Sequence, residues 1–128
     1  MIFVDANAFM YAVGRPHPLL QTARAFFERS LAEREPLATS AEVLQELLHA
    51  YLPTDRLVDF DAALDLASSR MEEIWPIEAA DVRFARDLSA RHTALTARDV
   101  LHLATCLRHG ADRIETFDRA LAAAWEPG

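Results

Sequence analysis

The stretch MIFVDAN, residues 1–7, contains the pattern that decides the fold. Its apolar run from Ile2 to Val4 ends at an acid, Asp5. A short apolar run of this kind predicts a strand buried on both faces, which is typical of parallel sheets. Further short strands are predicted at residues 37–39, 74–77 and 113–117. Pro76 favours a sheet edge for its strand, because proline cannot donate a ladder hydrogen bond.

Segments with helical periodicity separate these strands. The apolar residues at positions 20, 23, 27 and 31 recur at the spacing of one helix face. Capping boxes are predicted at Thr39–Glu42 and Thr96–Asp99, and Gly110 is predicted to end the helix that the second box begins. A short helix is predicted after the first strand, and longer ones over residues 19–35, 39–52, 56–71, 81–91, 96–109 and 118–125.

Strands and helices alternate along the whole chain, and no Asn-Gly hairpin signal occurs. This order predicts a mainly parallel sheet with helices on both faces, which is a three-layer α/β/α sandwich. The length of 128 residues and a hydrophobic content of 52% predict one globular domain over residues 1–128. Cys106 is the only cysteine, so neither an internal disulfide nor a thiolate zinc site supports the fold.

Charge and hydropathy limit the function classes. No apolar run approaches the roughly 18 residues of a membrane span, and Asp5 interrupts the N-terminal run where a signal peptide would continue. We therefore expect a cytoplasmic protein without a membrane partner. The formal net charge of −7 argues against a basic surface that attracts nucleic acid, so any such contact must be local. All 13 basic residues are arginine, and lysine is absent.

Acids lie beside the predicted strands. Asp5 follows the first strand and Asp118 the last, while Glu46 and Asp99 lie in neighbouring helices. Ligands of open parallel sheets bind beyond the carboxyl ends of the strands, at the point where strand order reverses. Each acid also has a purely structural interpretation, as an Asx turn, a helix cap or a solvated helix face. Glu46 is the least suited to that interpretation, because Glu42 places a like charge one helical turn away.

Four sequence blocks together resemble the PIN-domain family, and most of all its VapC-type toxins from toxin–antitoxin pairs. The blocks are VDAN at residues 4–7, SAEVLQEL at 40–47, ARDVLHLA at 97–104 and TFD at 116–118. The resemblance covers essentially the whole chain, with the blocks in order. Two residues depart from the pattern, Ala6 where the family often has Thr or Ser, and Phe117 between Thr116 and Asp118.

The resemblance implies a magnesium-dependent endoribonuclease, with manganese as a substitute metal. It implies metal binding by Asp5, Glu46, Asp99 and Asp118, with Asn7 and Thr116 as orienting groups, and hydrolysis that leaves 5′-phosphate and 3′-hydroxyl ends. Magnesium suits such a site because it prefers oxygen ligands and attracts an anionic phosphodiester. Arg15 and Arg98 lie nearest in sequence and are candidate phosphate contacts. His49 and His102 are not assigned to the metal, because imidazole is a poor ligand for magnesium.

The resemblance also implies partners, namely an RNA substrate, a cognate antitoxin and a second copy in a homodimer. Apolar residues on two predicted helices offer a surface for an antitoxin helix or, equally, belong to the core. These residues are Phe26, Phe27, Leu57, Phe60 and Leu64.

Other interpretations stay open at this point. A free-standing PIN nuclease in RNA processing would use the same pocket. Glu46-x-x-His49 and Asp99-x-x-His102 imitate the carboxylate–histidine pairs of di-iron helix bundles, although prolines at 36, 53 and 76 divide the chain into short elements. A non-catalytic interaction module would use the acids as caps. Receiver domains and haloacid-dehalogenase-like phosphatases also have an Asp after the first strand, but that resemblance requires a lysine, which this chain lacks.

Overall fold

A computed structural model describes residues 1–125, so residues 126–128 at the end of the predicted domain lie outside the described part. Four strands form one sheet in the order β3-β2-β1-β4, and each neighbouring pair is parallel. The strands are β1 (Ile2–Val4), β2 (Leu37–Ser40), β3 (Glu73–Trp75) and β4 (Arg113–Glu115). The α/β class and the parallel sheet predicted from the sequence are confirmed, and Pro76 follows a strand at the sheet edge.

Helices connect every pair of strands in the described residues. They are α1 (Ala6–Val13), α2 (Leu20–Ala32), α3 (Ala41–Tyr51), α4 (Leu57–Arg70), α5 (Ala79–Ser89), α6 (Ala97–His109) and α7 (Arg119–Trp125), with a short 3-10 turn at Leu52–Thr54. Gly110 ends α6 as predicted, because its φ of 67° is a left-handed conformation that glycine adopts without strain. None of the described helices has the length and apolar content needed to cross a bilayer.

The strand order contains a reversal that matters for function. From β1 to β2 to β3 the chain moves in one direction across the sheet, and then α5 and α6 carry it back to β4 beside β1. Right-handed crossovers therefore place α1–α4 on one face and α5–α6 on the other. Two hydrophobic clusters result, and both include contacts with Ile114 and Trp125. The reversal lies between β1 and β4.

One predicted capping box is wrong by one residue. All four residues of β2 are buried, so the strand continues through Thr39, whose hydroxyl donates a hydrogen bond of 2.8 Å to the Val4 carbonyl. Ser40 caps α3 instead, and its Oγ accepts from the Val43 amide at 3.2 Å. Glu42 is thereby free of the capping role that the sequence pattern predicted for it.

A complete capping box is found where the sequence reasoning placed none. Glu78 precedes α5, and Asp81 accepts a hydrogen bond of 2.8 Å from the Glu78 amide. Asp81 is fully buried and also accepts a hydrogen bond of 2.6 Å from Nη1 of Arg108 on α6. This ion pair joins α5 to α6, away from the strand ends described next.

Candidate metal centre

The carboxyl ends of β1 and β4 lie side by side at the reversal of strand order. Val4 pairs with Glu115, and the Asp5 amide donates a hydrogen bond of 3.0 Å to the Glu115 carbonyl. Both strands end here, because the chain turns into α1 after Asp5 and into α7 after Asp118. Parallel strands that diverge in this way leave a crevice between their following helices.

Asp5 is held firmly at the base of this crevice. It is only 4% exposed, and its Oδ1 accepts from the Ala6 amide at 2.7 Å. Its Oδ2 accepts from the Thr116 hydroxyl, also at 2.7 Å. Both oxygens are therefore oriented by hydrogen bonds across the β1–β4 junction.

Thr116 and Asn7 connect the two strand ends. The Thr116 Oγ1 that donates to Asp5 accepts from the Asp118 amide at 3.0 Å and lies 3.4 Å from Asn7 Nδ2. Asn7 Oδ1 accepts from the Phe117 amide at 3.1 Å. Asp118 in turn accepts from the Leu121 amide through Oδ1, which caps α7. The two residues predicted to orient the site thus lie in one network with two of the predicted acids.

Glu46 reaches the crevice from α3 and meets a histidine from α6. Oε1 of Glu46 lies 2.5 Å from Nε2 of His102, which is 3.6 Å from Oδ1 of Asp5. His102 is 1% exposed, and among the described residues its Nδ1 has no hydrogen-bond partner. Ligand atoms of Asp5, Glu46 and His102 all lie within 4.8 Å of one another.

Asp99 completes the acidic group from the first turn of α6. Thr96 caps this helix through a 3.2 Å hydrogen bond from the Asp99 amide, while the Asp99 side chain lines the same cavity as Asp5 and Asp118. Burial raises the pKa of Asp99, and the neighbouring charges of Asp118 and Asp5 raise it further. Negative charges placed this close repel one another, and together with burial this favours the protonated form of Asp99.

The His102 imidazole responds to the same charges. Burial lowers its pKa, but the hydrogen bond to Glu46 and the charges of Asp5, Glu46 and Asp99 outweigh burial, so the net pKa is raised. A positive charge at this position is thus favoured by the surroundings.

The crevice opens into a cavity of about 780 Å³. Its walls hold all four predicted acids, with Asn7, Glu42 and Arg98 beside them. Arg98 is 47% exposed, and its Nε lies 3.7 Å from Glu46 and 3.9 Å from Glu42. Arg15, the other arginine predicted near the site, is not among the lining residues.

The residues present fit a divalent cation. The donors are carboxylate oxygens, which hard cations such as magnesium prefer. Their mutual repulsion, visible in the raised pKa of Asp99, is relieved by a positive charge between them. The structure therefore contains a cluster suited to metal binding.

A family model for the PIN domain matches residues 2–125 of this chain. The chain belongs to the PIN-domain family. Two curated relatives from Mycobacterium tuberculosis agree with this. Ribonuclease VapC23 is 58% identical over 125 residues, which are 98% of each chain. Ribonuclease VapC13 is 42% identical over 119 residues, which are 93% of this chain and 91% of that one.

Solved structures have the same PIN-domain architecture. The crystal structure of Mycobacterium tuberculosis VapC20, a sarcin-ricin loop cleaving toxin, superposes with a TM-score of 0.73 at 22% identity, covering 97% of this chain and 95% of that one. A VapBC2 structure from Rickettsia felis, bound to a promoter DNA fragment, gives a TM-score of 0.68 at 20% identity, covering 90% and 86%. At these identities the likeness supports the fold.

Sequence reasoning missed two residues of this PIN-domain site. His102 follows Asp99 by three positions, a spacing that places both on one helix face, but its preference for other metals removed it from consideration. Glu42 lies one turn before Glu46 and was assigned to a cap. His49, which has the same spacing from Glu46, is exposed and absent from the cavity wall.

Proposed function

We propose that this chain is a magnesium-dependent endoribonuclease, the toxin of a toxin–antitoxin pair, acting in the cytoplasm as a single domain. The observation that carries the proposal is the meeting of Asp5, Glu46, Asp99 and Asp118 in one open cavity at the strand reversal. The ribonuclease class is that of the PIN-domain relatives at 58% and 42% identity.

Three of the four acids are held in place by hydrogen bonds, each in a different way. Asp5 is fixed through both oxygens, Asp118 through one oxygen at the start of α7, and Glu46 through Nε2 of His102. Such fixed carboxylates lose little conformational freedom when they bind a ligand. We assign all four acids as magnesium ligands, direct or through water, and Asn7 and Thr116 as the groups that orient them.

Magnesium held here supplies positive charge at the scissile phosphate and lowers the pKa of a bound water. Manganese is expected to substitute, because it accepts the same oxygen ligands. The acids would hold the cation, and Arg98, which is 47% exposed beside Glu46, offers a planar donor pair to a phosphate oxygen. Water adds to phosphorus, the P–O3′ bond breaks, and the proton lost by water goes to the 3′-oxygen, leaving 5′-phosphate and 3′-hydroxyl ends.

The rival interpretations fit the structure less well. A di-iron bundle requires long antiparallel helices, whereas a four-stranded parallel sheet forms the centre of the described residues. An interaction module would use every acid as a cap, but the carboxylates of Glu46 and Asp99 face the cavity instead. A free-standing RNA-processing PIN nuclease would use the same cavity, and a neighbouring reading frame for a DNA-binding antitoxin separates that case from a toxin.

An antitoxin has a candidate groove among the helices on the α1–α4 face of the sheet. A cavity of about 500 Å³ lies between α1, α2 and α4, and its lining includes Phe27 and Leu66. Of the residues predicted for this contact, Phe26 and Phe27 are buried in the core, while Leu57 is 43% exposed and Phe60 and Leu64 are half-buried. We propose this groove as the antitoxin contact, with a homodimer as the expected oligomeric state.

The test uses Asp99→Asn, which keeps the shape of the side chain and leaves the Thr96 cap to the backbone. Metal chemistry contributes several kcal/mol to such reactions, so we expect RNA hydrolysis to fall by about 100-fold or more. The rise in melting temperature that magnesium or manganese gives to the wild type is expected to shrink in parallel. Asp87→Asn, an exposed site on α5, is the matched control and keeps both properties. Hydrolysis by Asp99→Asn at the wild-type rate contradicts the proposed site.

A further inference from the structure

Three aromatic side chains form a cluster next to the acidic cavity. The ring of His17 stacks on Tyr11 with centroids 4.4 Å apart and planes 26° apart. Phe117 meets Tyr11 edge to face, with centroids 5.2 Å apart. The rings come from α1, from the loop that follows it and from the turn after β4. His17 is exposed, and the other two are half-buried.

This aromatic cluster of Tyr11, His17 and Phe117 is continuous with the proposed metal site. Tyr11 lies four residues after Asn7 on α1, so both occupy one helix face. Asn7 lines the cavity and accepts the hydrogen bond from the Phe117 amide. Phe117 itself stands between Thr116, which holds Asp5, and Asp118. Phe117, one of the two residues that depart from the family pattern, thus lies where the cavity meets the aromatic cluster.

His17 is held in place although it belongs to no core. Its Nδ1 accepts a hydrogen bond of 3.0 Å from the Leu19 amide, so in the neutral ring the proton is on Nε2. Prolines at positions 16 and 18 restrict the backbone on either side. Stacking on Tyr11 fixes the ring plane. The hydrogen bond, the flanking prolines and the stacking together fix the orientation of this exposed ring. A ring held in this way is suited to contact with a ligand.

We propose that the aromatic cluster is a subsite where a base of single-stranded RNA stacks, next to the phosphate that is cut. This inference rests on the proposed function, since the metal site fixes where the phosphate lies. Unpaired RNA bases stack readily on aromatic side chains, and every base has a suitable face. With a net charge of −7 the chain has little long-range attraction for RNA, so local stacking is a fitting source of affinity. Arg15, exposed in the same loop, is a candidate contact for the adjoining phosphate.

The decisive variant is His17→Asn. Asparagine removes the ring but keeps a side-chain oxygen that accepts from the Leu19 amide, so the loop stays folded. Stacking of one base contributes enough affinity that its loss raises KM for a short randomised oligoribonucleotide by about 10-fold, with kcat unchanged. Phe117→Leu, which keeps apolar volume without an aromatic face, is expected to change KM in the same direction. His49→Ala, an exposed histidine on α3, is the matched control.

A direct readout of stacking uses the same oligoribonucleotide with 2-aminopurine placed at successive positions. Fluorescence quenching is expected at the position beside the cleaved bond in the wild type and His49→Ala, and its loss is expected in His17→Asn. Manganese binding to His17→Asn, measured by calorimetry, is expected to match the wild type, since none of the acids is altered. Unchanged KM and quenching in both His17→Asn and Phe117→Leu overturn the subsite while leaving the nuclease intact. Hydrolysis that survives Asp99→Asn overturns the proposed metal site, and wild-type protein that leaves RNA intact with magnesium overturns the proposed function, so these failures are distinguishable from failure of the subsite.

Discussion

Acids at two places in this molecule have opposite surroundings. Asp81 is fully buried between α5 and α6, where Arg108 lies at 2.6 Å and the Glu78 amide at 2.8 Å. Asp5 is 4% exposed and shares its cavity with four other acids. The guanidinium lining that cavity, Arg98, is 47% exposed and approaches Glu46 only to 3.7 Å. The carboxylate of Asp81 has a permanently charged guanidinium at hydrogen-bonding distance, whereas the closest basic group to the cavity acids is the imidazole of His102, 2.5 Å from Glu46.

This difference distinguishes an acid that stabilises the fold, Asp81, from acids that are suited to binding a ligand. A buried carboxylate requires compensation, and Arg108 supplies it to Asp81 at hydrogen-bonding distance. The acids at the strand ends receive amide and hydroxyl hydrogen bonds that orient them, and the single imidazole of His102 is shared among several carboxylates. Acids that are oriented but only partly neutralised are the arrangement expected of a site that binds an external cation.

The largest expected effect on stability comes from the compensated pair. Asp81→Ala removes the hydrogen bonds to Arg108 and to the Glu78 amide, and with them the cap of α5. From the usual contributions of helix caps and of hydrogen bonds to charged groups, we expect the free energy of unfolding to fall by about 2 to 3 kcal/mol. Urea unfolding measures the loss, and Asp87→Ala on the same helix should stay within about 0.5 kcal/mol of the wild type.

The comparison predicts that Asp81→Ala leaves metal binding intact. The increment in unfolding free energy caused by manganese should be the same in Asp81→Ala and in the wild type. If the increment disappears with Asp81, the two acidic groups are coupled and the separation drawn here is wrong.

The second expected effect concerns the positioning of Glu46 by His102. Nε2 donates to Oε1 of Glu46, which fixes one carboxylate oxygen and leaves the other to face the cavity. Loss of such an orienting partner lowers metal affinity by about 10-fold or more. We therefore expect weaker manganese binding by calorimetry in His102→Leu. His102→Gln, whose amide can donate from a similar position, should recover part of the affinity.

The outcome for the glutamine variant decides between two roles. Recovery by His102→Gln supports a hydrogen bond to Glu46. Equal weakening in both variants indicates that the imidazole nitrogen itself binds manganese. Unchanged manganese affinity in His102→Leu indicates that the His102 ring serves only to pack against Phe3, whose ring centroid is 5.5 Å away.

Much of the fold was predictable because its signals are local. The apolar run that ends at Asp5 marks β1, and Gly110 ends a helix through its own backbone conformation, whereas the last strand, predicted over residues 113–117, ends at Glu115. Strand order was not predicted residue by residue, since it depends on contacts between distant segments. The capping error at Thr39 has the same cause, because only burial across the sheet shows that the strand extends to Ser40.

The candidate site likewise has a part that could be predicted from the sequence and a part that depends on contacts between distant segments. The convergence of the four acids follows from parallel topology, which the alternation of elements predicts. His102 contacts Glu46 across two helices, 56 positions apart, and no local pattern carries that pairing. The Asp81–Arg108 pair escaped prediction for the same reason, although Glu78 and Asp81 have the spacing of a capping box. The ligand role of each acid stays a prediction until a metal titration tests it.

The smallest expected effect is the change in stability caused by Asp99→Asn. Its sign shows most directly how the cavity acids differ from Asp81. Asp99 has a raised pKa because of burial and the charges of Asp118 and Asp5, so the folded state favours its protonated form. The stabilisation that the proton confers is complete below the unfolded pKa and is lost as the pH rises through the folded one. An asparagine side chain, being neutral, mimics the protonated carboxyl at every pH.

In metal-free protein near pH 7, Asp99→Asn should therefore increase the free energy of unfolding by about 0.3 kcal/mol, the size of a like-charge pair at helical spacing. This gain in the free energy of unfolding should vanish in acid, where Asp99 of the wild type is protonated as well. Near neutral pH, by contrast, Asp81→Ala should lower the free energy of unfolding. Saturating magnesium should reverse the sign for Asp99→Asn, because a bound cation turns the repelling carboxylate into a ligand. Thermal melts with chelator and with magnesium test this, and a destabilised metal-free Asp99→Asn would show that Asp99, like Asp81, serves the fold.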